Sequence, residues 1–290
     1  MKPPPFRYAD PATVAEAVSL IASEENAKVL AGGQSLMAML NMRYVLPDVL
    51  VDLNGIPELS YMKLEGQTLA VGAMTRQRDL EFSADVKVRC PLMHEALLEV
   101  GHVQTRNRGT LGGSLCQLDP AAELVAVCMA MDATVSVAGP NGARDIPFAQ
   151  FPMAYMTPSI ELNEIVTGVR FPLWSAGHGS AFVEFARRHG DFAIVSAAAL
   201  MECDANGAVT RCSLTIGGAG PAPARMSDVE KALVGQKPTA ANLKDAAELC
   251  RKIEATGDVH APMEYRQHLA SVLGRRALEK AHARARPGAR

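Results

Sequence analysis

Two short stretches place glycine doublets beside small polar side chains: AGGQSL at Ala31 to Leu36 and TLGGS at Thr110 to Ser114. Glycine lacks the Cβ that would hold a ligand off the backbone, so such a loop can aim several N–H donors at the oxygens of a pyrophosphate. In the first loop an apolar run, Lys28-Val29-Leu30-Ala31, breaks at Gly32-Gly33, and Gln34 and Ser35 add side-chain donors where a helix is expected to start. The helix N-terminus would add positive potential. The second loop repeats the arrangement with Gly109, Gly112, Gly113 and Ser114, behind the polar, basic run Gln104 to Arg108. One doublet alone more often marks a turn than a site. Two in one chain suggest a long ligand anchored twice. Asp119, ahead of Pro120, reads either as an N-cap with proline at the first helical position or as an acceptor for a ribityl or ribose hydroxyl or an amine donor. A carboxylate would repel the phosphates themselves.

Other signatures fail on spacing. No G-x-G-x-x-G follows a strand, no G-x-x-x-x-G-K-[ST] exists, and Gly112-Gly113-Ser114-Leu115-Cys116 lacks the last glycine of a nucleophile elbow. His94-Glu95 is not followed by the second histidine of H-E-x-x-H. His94, His102, His178, His189, His260, His268 and His282 share no motif, so no catalytic base is assigned. The cysteines, Cys90, Cys116, Cys128, Cys203, Cys212 and Cys250, form no Cys-x-x-Cys pair. That argues against a disulfide framework and against any metal site, zinc or iron–sulfur, held by this chain. They read as small buried hydrophobes.

The elements that must carry these loops follow from periodicity. Pro11 to Ser23 reads as an amphipathic helix with Thr13 as a cap. A strand at Lys28 to Ala31, a helix around Ser35 to Met42 and a strand at Val49 to Leu53 make a compact β-loop-α-β unit. Strands at Thr68 to Ala73 and Ala133 to Ala138 alternate with helices at Arg76 to Phe82, Pro91 to Gly101 and Pro120 to Met131. Glu164 to Phe171 is a further strand, and Pro172 to Gly179 has linker character. Beyond it, extended runs at Ser180 to Arg187, Ala193 to Glu202 and Val209 to Gly217 precede helices at Ala224 to Leu233, Ala240 to Ile253 and Tyr265 to His282, an α+β pattern. The basic tail Arg284 to Arg290 reads as a fraying end.

A chain of 290 residues divides into two or three domains. Its 29 basic and 31 acidic residues leave a net charge of −2, which gives no field to gather nucleic acid or an anionic membrane. No apolar run reaches the roughly eighteen residues of a spanning helix, and the N-terminal stretch has no apolar core of a secretory signal. The expected location is the cytoplasm.

The two loops, their separation, the DPAAEL at Asp119 to Leu124 and the RRHGDFAIVSAAA at Arg187 to Ala199 resemble the FAD-binding medium subunit of the molybdenum hydroxylases. Carbon monoxide, xanthine and N-heterocycle dehydrogenases belong to that family. The resemblance runs from the MKPPPFRYADP start to the C-terminal helices. It implies an α+β chain with a vanillyl-alcohol-oxidase-type FAD-binding fold: a small α/β N-terminal subdomain at 1–56, a larger α+β subdomain at 57–176, and a C-terminal α+β domain at 177–290. It also implies that Ala31, Gly32, Gly33, Gln34, Ser35 and Leu36, with Thr110, Gly112, Gly113 and Ser114, wrap the FAD pyrophosphate. Asp119 would bond the flavin nucleotide, Ile165 and Val166 would pack on the isoalloxazine, and Arg187 would lie near the ring and favour negative charge on it. One departure is that relatives carry histidine or asparagine ahead of the aspartate, where this chain has Leu115-Cys116-Gln117-Leu118.

The implied role is electron transfer with no catalytic residue of its own, from [2Fe–2S] clusters on a small subunit to FAD and on to an external acceptor. Molybdopterin would sit on a large subunit, in a dimer of heterotrimers (a heterohexamer). Two alternatives stay open: a stand-alone FAD-dependent oxidase of the same fold, and a non-catalytic assembly protein without flavin. Yellow colour separates the last from the others, and copurifying iron and molybdenum separate the first two.

Overall fold

The computed structural model describes residues 1–286. It begins with a parallel sheet in which β3 (Val49–Asp52) lies between β1 (Arg7–Ala9) and β2 (Ala27–Leu30). Parallel neighbours need a crossover. Helix α1 (Val14–Ser23) links β1 to β2, and the short α2 (Leu36–Asn41) lies between β2 and β3. The expected cap is present: Thr13 Oγ1 accepts from the Glu16 amide at 3.2 Å. Ala17, Val18 and Ile21 of α1 pack with Val49, Val51 and Leu53 in the first core.

The middle of the chain builds an antiparallel sheet from β4 (Met62–Glu65), β5 (Thr68–Gly72), β6 (Thr134–Gly139) and β7 (Gly142–Pro147). A small hairpin, β8 (Pro152–Ala154) with β9 (Thr157–Pro158), then leads to β10 (Ile165–Pro172), which inserts between β5 and β6. Between β5 and β6 come α3 (Gln77–Phe82), α4 (Ala84–Arg89), α5 (Pro91–Glu99), α6 (Val103–Arg108), α7 (Leu111–Gln117) and α8 (Glu123–Ala130). The basic run at Gln104 to Arg108 is therefore helical. Arg106 in it is buried and holds Glu81 at 2.8 Å and the Val100 carbonyl at 2.8 Å, so its charge is used inside the protein and is not offered to a ligand.

After the linker, β11 (Gly179–Phe185), β12 (Val195–Cys203), β13 (Val209–Gly217) and β14 (Ala224–Arg225) form an antiparallel sheet in that order. Helices α9 (Ser227–Leu233), α10 (Ala240–Glu248) and α11 (Met263–Arg284) follow. Residues Val195 to Met201 of β12 are buried without alternation, because the sheet is covered on both faces. Ala198 and Leu200 join the middle core, and Val195, Ala197, Ala199 and Met201 the C-terminal one. Leu233, Leu243, Ala247 and Ile253 are core residues, and Leu249 packs against them half-buried.

The expected fraying of the tail is not what is seen at its start. Arg284 lies in α11, donates to the Ser180 carbonyl at 2.7 Å and pairs with Glu95 of α5, whose other oxygen accepts from the Phe182 amide at 3.0 Å. The tail residues Pro287 to Arg290 lie outside the described residues. No helix among the described residues is long and apolar enough to cross a membrane. All six cysteines are free, and burial pushes the thiols of Cys90, Cys116, Cys212 and Cys250 up to about 12.

Candidate functional site: a cleft between two glycine loops

The two doublets meet. A Cβ added at Gly32 would lie 2.3 Å from the Arg108 carbonyl oxygen, and one at Gly113 would lie 3.4 Å from the Ala31 Cβ. At Gly32 only glycine allows this approach. Beside it opens a cleft of ≈ 390 Å³ lined by Leu30, Gly32, Gly33, Gln34, Met37, Ala38 and Arg108.

The first loop leaves its donors available. Gly33 adopts φ +74°, which turns the chain out of β2 toward α2. Among the described residues no protein acceptor takes the amides of Gly33, Gln34 or Ser35. The Gly33 carbonyl accepts from Met37 and the Ser35 carbonyl from Met39, so these two carbonyls are used at the start of α2 while the three amides stay open. Donors without partners beside a cleft that a Cβ would narrow fit a polyphosphate. Leu36 opens α2, with no side-chain cap from Ser35.

The second loop is built differently. Leu111 donates to the Thr75 carbonyl, Gly112 to that of Ala73, Gly113 to Thr110 Oγ1 and Ser114 to the Thr110 carbonyl. A Cβ at Gly112 would lie 2.7 Å from that of Ala73, so this glycine packs the start of α7 on the end of β5. What the loop offers a ligand is the bare surface of Gly113 and the Ser114 hydroxyl, to which no protein partner is assigned. Arg76, unmarked by any motif, fastens one loop to the other. Its guanidinium donates to the Arg108 carbonyl and to Asn54, whose amide group reaches the Ala31 carbonyl at 3.0 Å.

Asp119 follows Leu118, which holds a left-handed φ of 50° at the end of α7. It is not the N-cap of the next helix, which starts only at Glu123. Its Oδ1 accepts from the Ala121 amide at 2.9 Å in a local turn, and burial raises its pKa. Ile165 and Val166 are both buried, Ile165 in the first core and Val166 in the middle core. Contact of this segment with a ring would thus be made by its backbone. Arg187 is exposed, in a turn where Gly190, at φ +87°, sits against His102.

Three features here escaped the sequence reading. Glu123, 5 % exposed at the start of α8, is pushed up to about 7 by burial, with Asp119 and Glu99 adding to the effect. Glu184 of β11 is pushed up to about 8 by burial and then by Glu123 and Glu99, and its Oε2 is buried without a partner. A lone acid heading the apolar run Leu124 to Met131 was the available signal for Glu123. The third feature is another glycine doublet, Gly217-Gly218, whose Gly218 amide donates to the Pro120 carbonyl at 2.8 Å. A larger groove of ≈ 960 Å³ lies between α1 and the β6–β7 turn. Its one charged side chain, Glu58, already accepts from the Val14 amide at 2.9 Å, so we place no chemistry there.

Residues 4–174 match the family described as FAD binding domain in molybdopterin dehydrogenase, and residues 180–281 match the CO dehydrogenase flavoprotein C-terminal domain. The chain belongs to this family: it is the FAD subunit of a molybdenum dehydrogenase, an oxidoreductase. Among its relatives is the 6-hydroxypseudooxynicotine dehydrogenase complex subunit alpha of Paenarthrobacter nicotinovorans, 37% identical over 99% of this chain and 98% of that protein. The carbon monoxide dehydrogenase medium chain of Hydrogenophaga pseudoflava is 34% identical over 98% of this chain and 99% of its own length. A solved carbon monoxide dehydrogenase from that organism, lacking the Mo-pyranopterin moiety of its cofactor, superposes with a TM-score of 0.96 at 35% identity, covering 99% of this chain and 100% of the other. The mixed α/β fold is that of these medium subunits.

Proposed function

We propose that this chain is the electron-transfer subunit of a heterotrimeric molybdenum hydroxylase. It would take electrons from [2Fe–2S] clusters of a small partner subunit and pass them to an external acceptor, while the molybdopterin reaction runs on a large one. The assembly is a cytoplasmic dimer of heterotrimers. We assign the fold to the vanillyl-alcohol-oxidase type, with boundaries at 1–56, 57–176 and 177–290.

The observation that carries the reading is the set of unpartnered amides at Gly33, Gln34 and Ser35 beside a cleft lined by Gly32, Gly33, Gln34 and Arg108, at the point where the second loop approaches the first. FAD supplies the redox chemistry when bound. The protein's own part is to bind and orient it: Ala31 to Leu36 with Gly113 and Ser114 would hold the pyrophosphate, Thr110 and Gly112 would set the second loop in place for it, and Asp119 would accept from a hydroxyl or amine of the nucleotide. The Ile165–Val166 backbone would border the ring, and Arg187 would favour negative charge on it. None of these groups acts as a general base.

The test is copurification. A tagged chain expressed with its neighbouring reading frames should be yellow and bring down iron and molybdenum with two other polypeptides. Yellow protein alone, oxidising a substrate without partners, would favour a stand-alone oxidase. Colourless protein that takes up no added FAD would leave only an assembly role.

A further inference from the structure

Arg266, in the first turn of α11, is 6 % exposed and far in sequence from either loop. Its Nη1 donates to the Ile194 carbonyl at 2.7 Å and to the Gly218 carbonyl at 2.6 Å. Its Nη2 donates to Asp258 Oδ2 at 2.7 Å. Asp258 is held in turn, since its Oδ1 accepts from the His260 amide at 2.8 Å and the Ala261 amide at 3.0 Å. A guanidinium has the fixed, planar set of donors that can span two carbonyls and a carboxylate at once; an ammonium does not.

The two carbonyls lead to the Asp119 turn, which the proposed function assigns to the nucleotide, and to the turn after Arg187, which it sets by the ring. Ile194 follows directly on the turn Gly190 to Ala193, which rests on His102. Gly218, at φ +75°, passes its own N–H to the Pro120 carbonyl at 2.8 Å, next to Asp119. The junction is tight: a Cβ at Gly218 would lie 3.0 Å from the Ile194 oxygen and 3.1 Å from that of Ala193. One buried side chain thus fixes, at one remove, both the Asp119–Pro120 turn and the Asp191–Ala193 turn.

We propose that Arg266 is a positioning residue for the flavin, setting the spacing between these two turns; this rests on the functional reading above. It touches no cofactor. Removing it leaves two carbonyls without donors and frees the turns to move relative to each other.

The test uses the full chain, with FAD affinity read by quenching of flavin fluorescence and ring environment by visible circular dichroism. Arg266→Met is expected to weaken FAD at least tenfold and to alter the visible dichroism of the bound flavin. Arg266→Lys should fall between it and the unaltered chain. Gly218→Ala, which crowds the same carbonyls with the arginine intact, should change the dichroism in the same direction. Should Arg266→Met not fold, Gly218→Ala and Asp258→Asn decide the matter by the same two measurements. FAD affinity within twofold of the unaltered chain together with an unchanged spectrum, whatever happens to Tm, overturns the inference. No FAD uptake by the unaltered chain would overturn the functional reading as well, whereas normal uptake with indifferent variants overturns this inference alone.

Discussion

Loops 31–36 and 110–114 look alike in sequence and do different work. The first keeps the amides of Gly33, Gln34 and Ser35 without protein acceptors, while the second commits those of Leu111, Gly112, Gly113 and Ser114 to the protein. In the first, missing side chains expose donors to a ligand. In the second, Gly112 lets a helix start press against Ala73, and Gly113 leaves room for the Thr110 hydroxyl that caps its amide. A glycine doublet therefore marks close approach without saying what approaches.

The sharpest way to break this comparison is to add volume to each loop and ask whether cofactor or fold suffers first. Gly32→Val drives a side chain into the Arg108 carbonyl, and we expect flavin-free protein by absorbance. Gly112→Val meets Ala73 inside the fold. Overpacking of this kind costs about 1–3 kcal/mol, so thermal unfolding should shift down by several degrees in apo and holo protein alike. If Gly112→Val lost FAD with an unchanged apo Tm, the division between the loops would be wrong.

Gly33→Ala is the milder form of the first substitution. The left-handed φ of +74° costs a non-glycine residue roughly 1–2 kcal/mol, and the strained loop should bind FAD about tenfold more weakly. Retention of stoichiometric FAD by bulky variants at both Gly33 and Gly113 would sink the loop assignment. Arg76→Met removes the link from the Arg108 carbonyl to Asn54. Charge-assisted bonds of this kind are worth about 1.5–3 kcal/mol each, and water replaces part of that at this partly exposed site. We expect an FAD affinity loss of about tenfold, measured by equilibrium titration, with the Asn54→Ala variant showing the same trend.

Smaller effects test the acids beyond the loops. Glu184 has its folded-state pKa raised, from 4.5 to about 8, so its protonated form suits the fold. Its contribution is fully present below the unfolded value and is lost as pH rises through the interval up to about 8. Glu184→Gln should flatten the fall of Tm across that interval and raise stability at pH 9 by about 1–3 kcal/mol, the usual penalty of a buried polar group without a partner. A pH profile of Tm identical to that of the unaltered chain would remove Glu184 from the account. Ser114→Ala should be the mildest change: the hydroxyl has no assigned protein partner, so Tm should hold while FAD weakens by a few-fold, the worth of one neutral hydrogen bond at about 0.5–1.5 kcal/mol.

Much of the scaffold was legible because local physics dominates it. Thr13 caps α1 as its spacing suggests, and β2, β3, β12 and β13 fall on apolar runs. The helix at Val103–Arg108 was read as a polar run because its one buried side chain is an arginine, whose partner Glu81 lies 25 residues away. Of the two roles its position offers Asp119, the cap is not the one adopted, because the chain makes a local turn onto Ala121 before α8 begins at Glu123.

By itself the sequence determined where glycine must stand, which segments bury an apolar face, and, through the joint pattern of AGGQSL, TLGGS, DPAAEL and GDFA, the family to which the chain belongs. Tertiary structure alone decided which glycines meet a ligand and which meet protein, and that Asn54, Arg76 and Arg266 join segments far apart in the chain. It also gathered Glu99, Glu123 and Glu184 from three elements. The physical reason is that a glycine's role depends on the nearest atom across the gap, and a carboxyl's charge on its burial and neighbours. Both are set by packing between distant segments, which spacing along the chain does not encode.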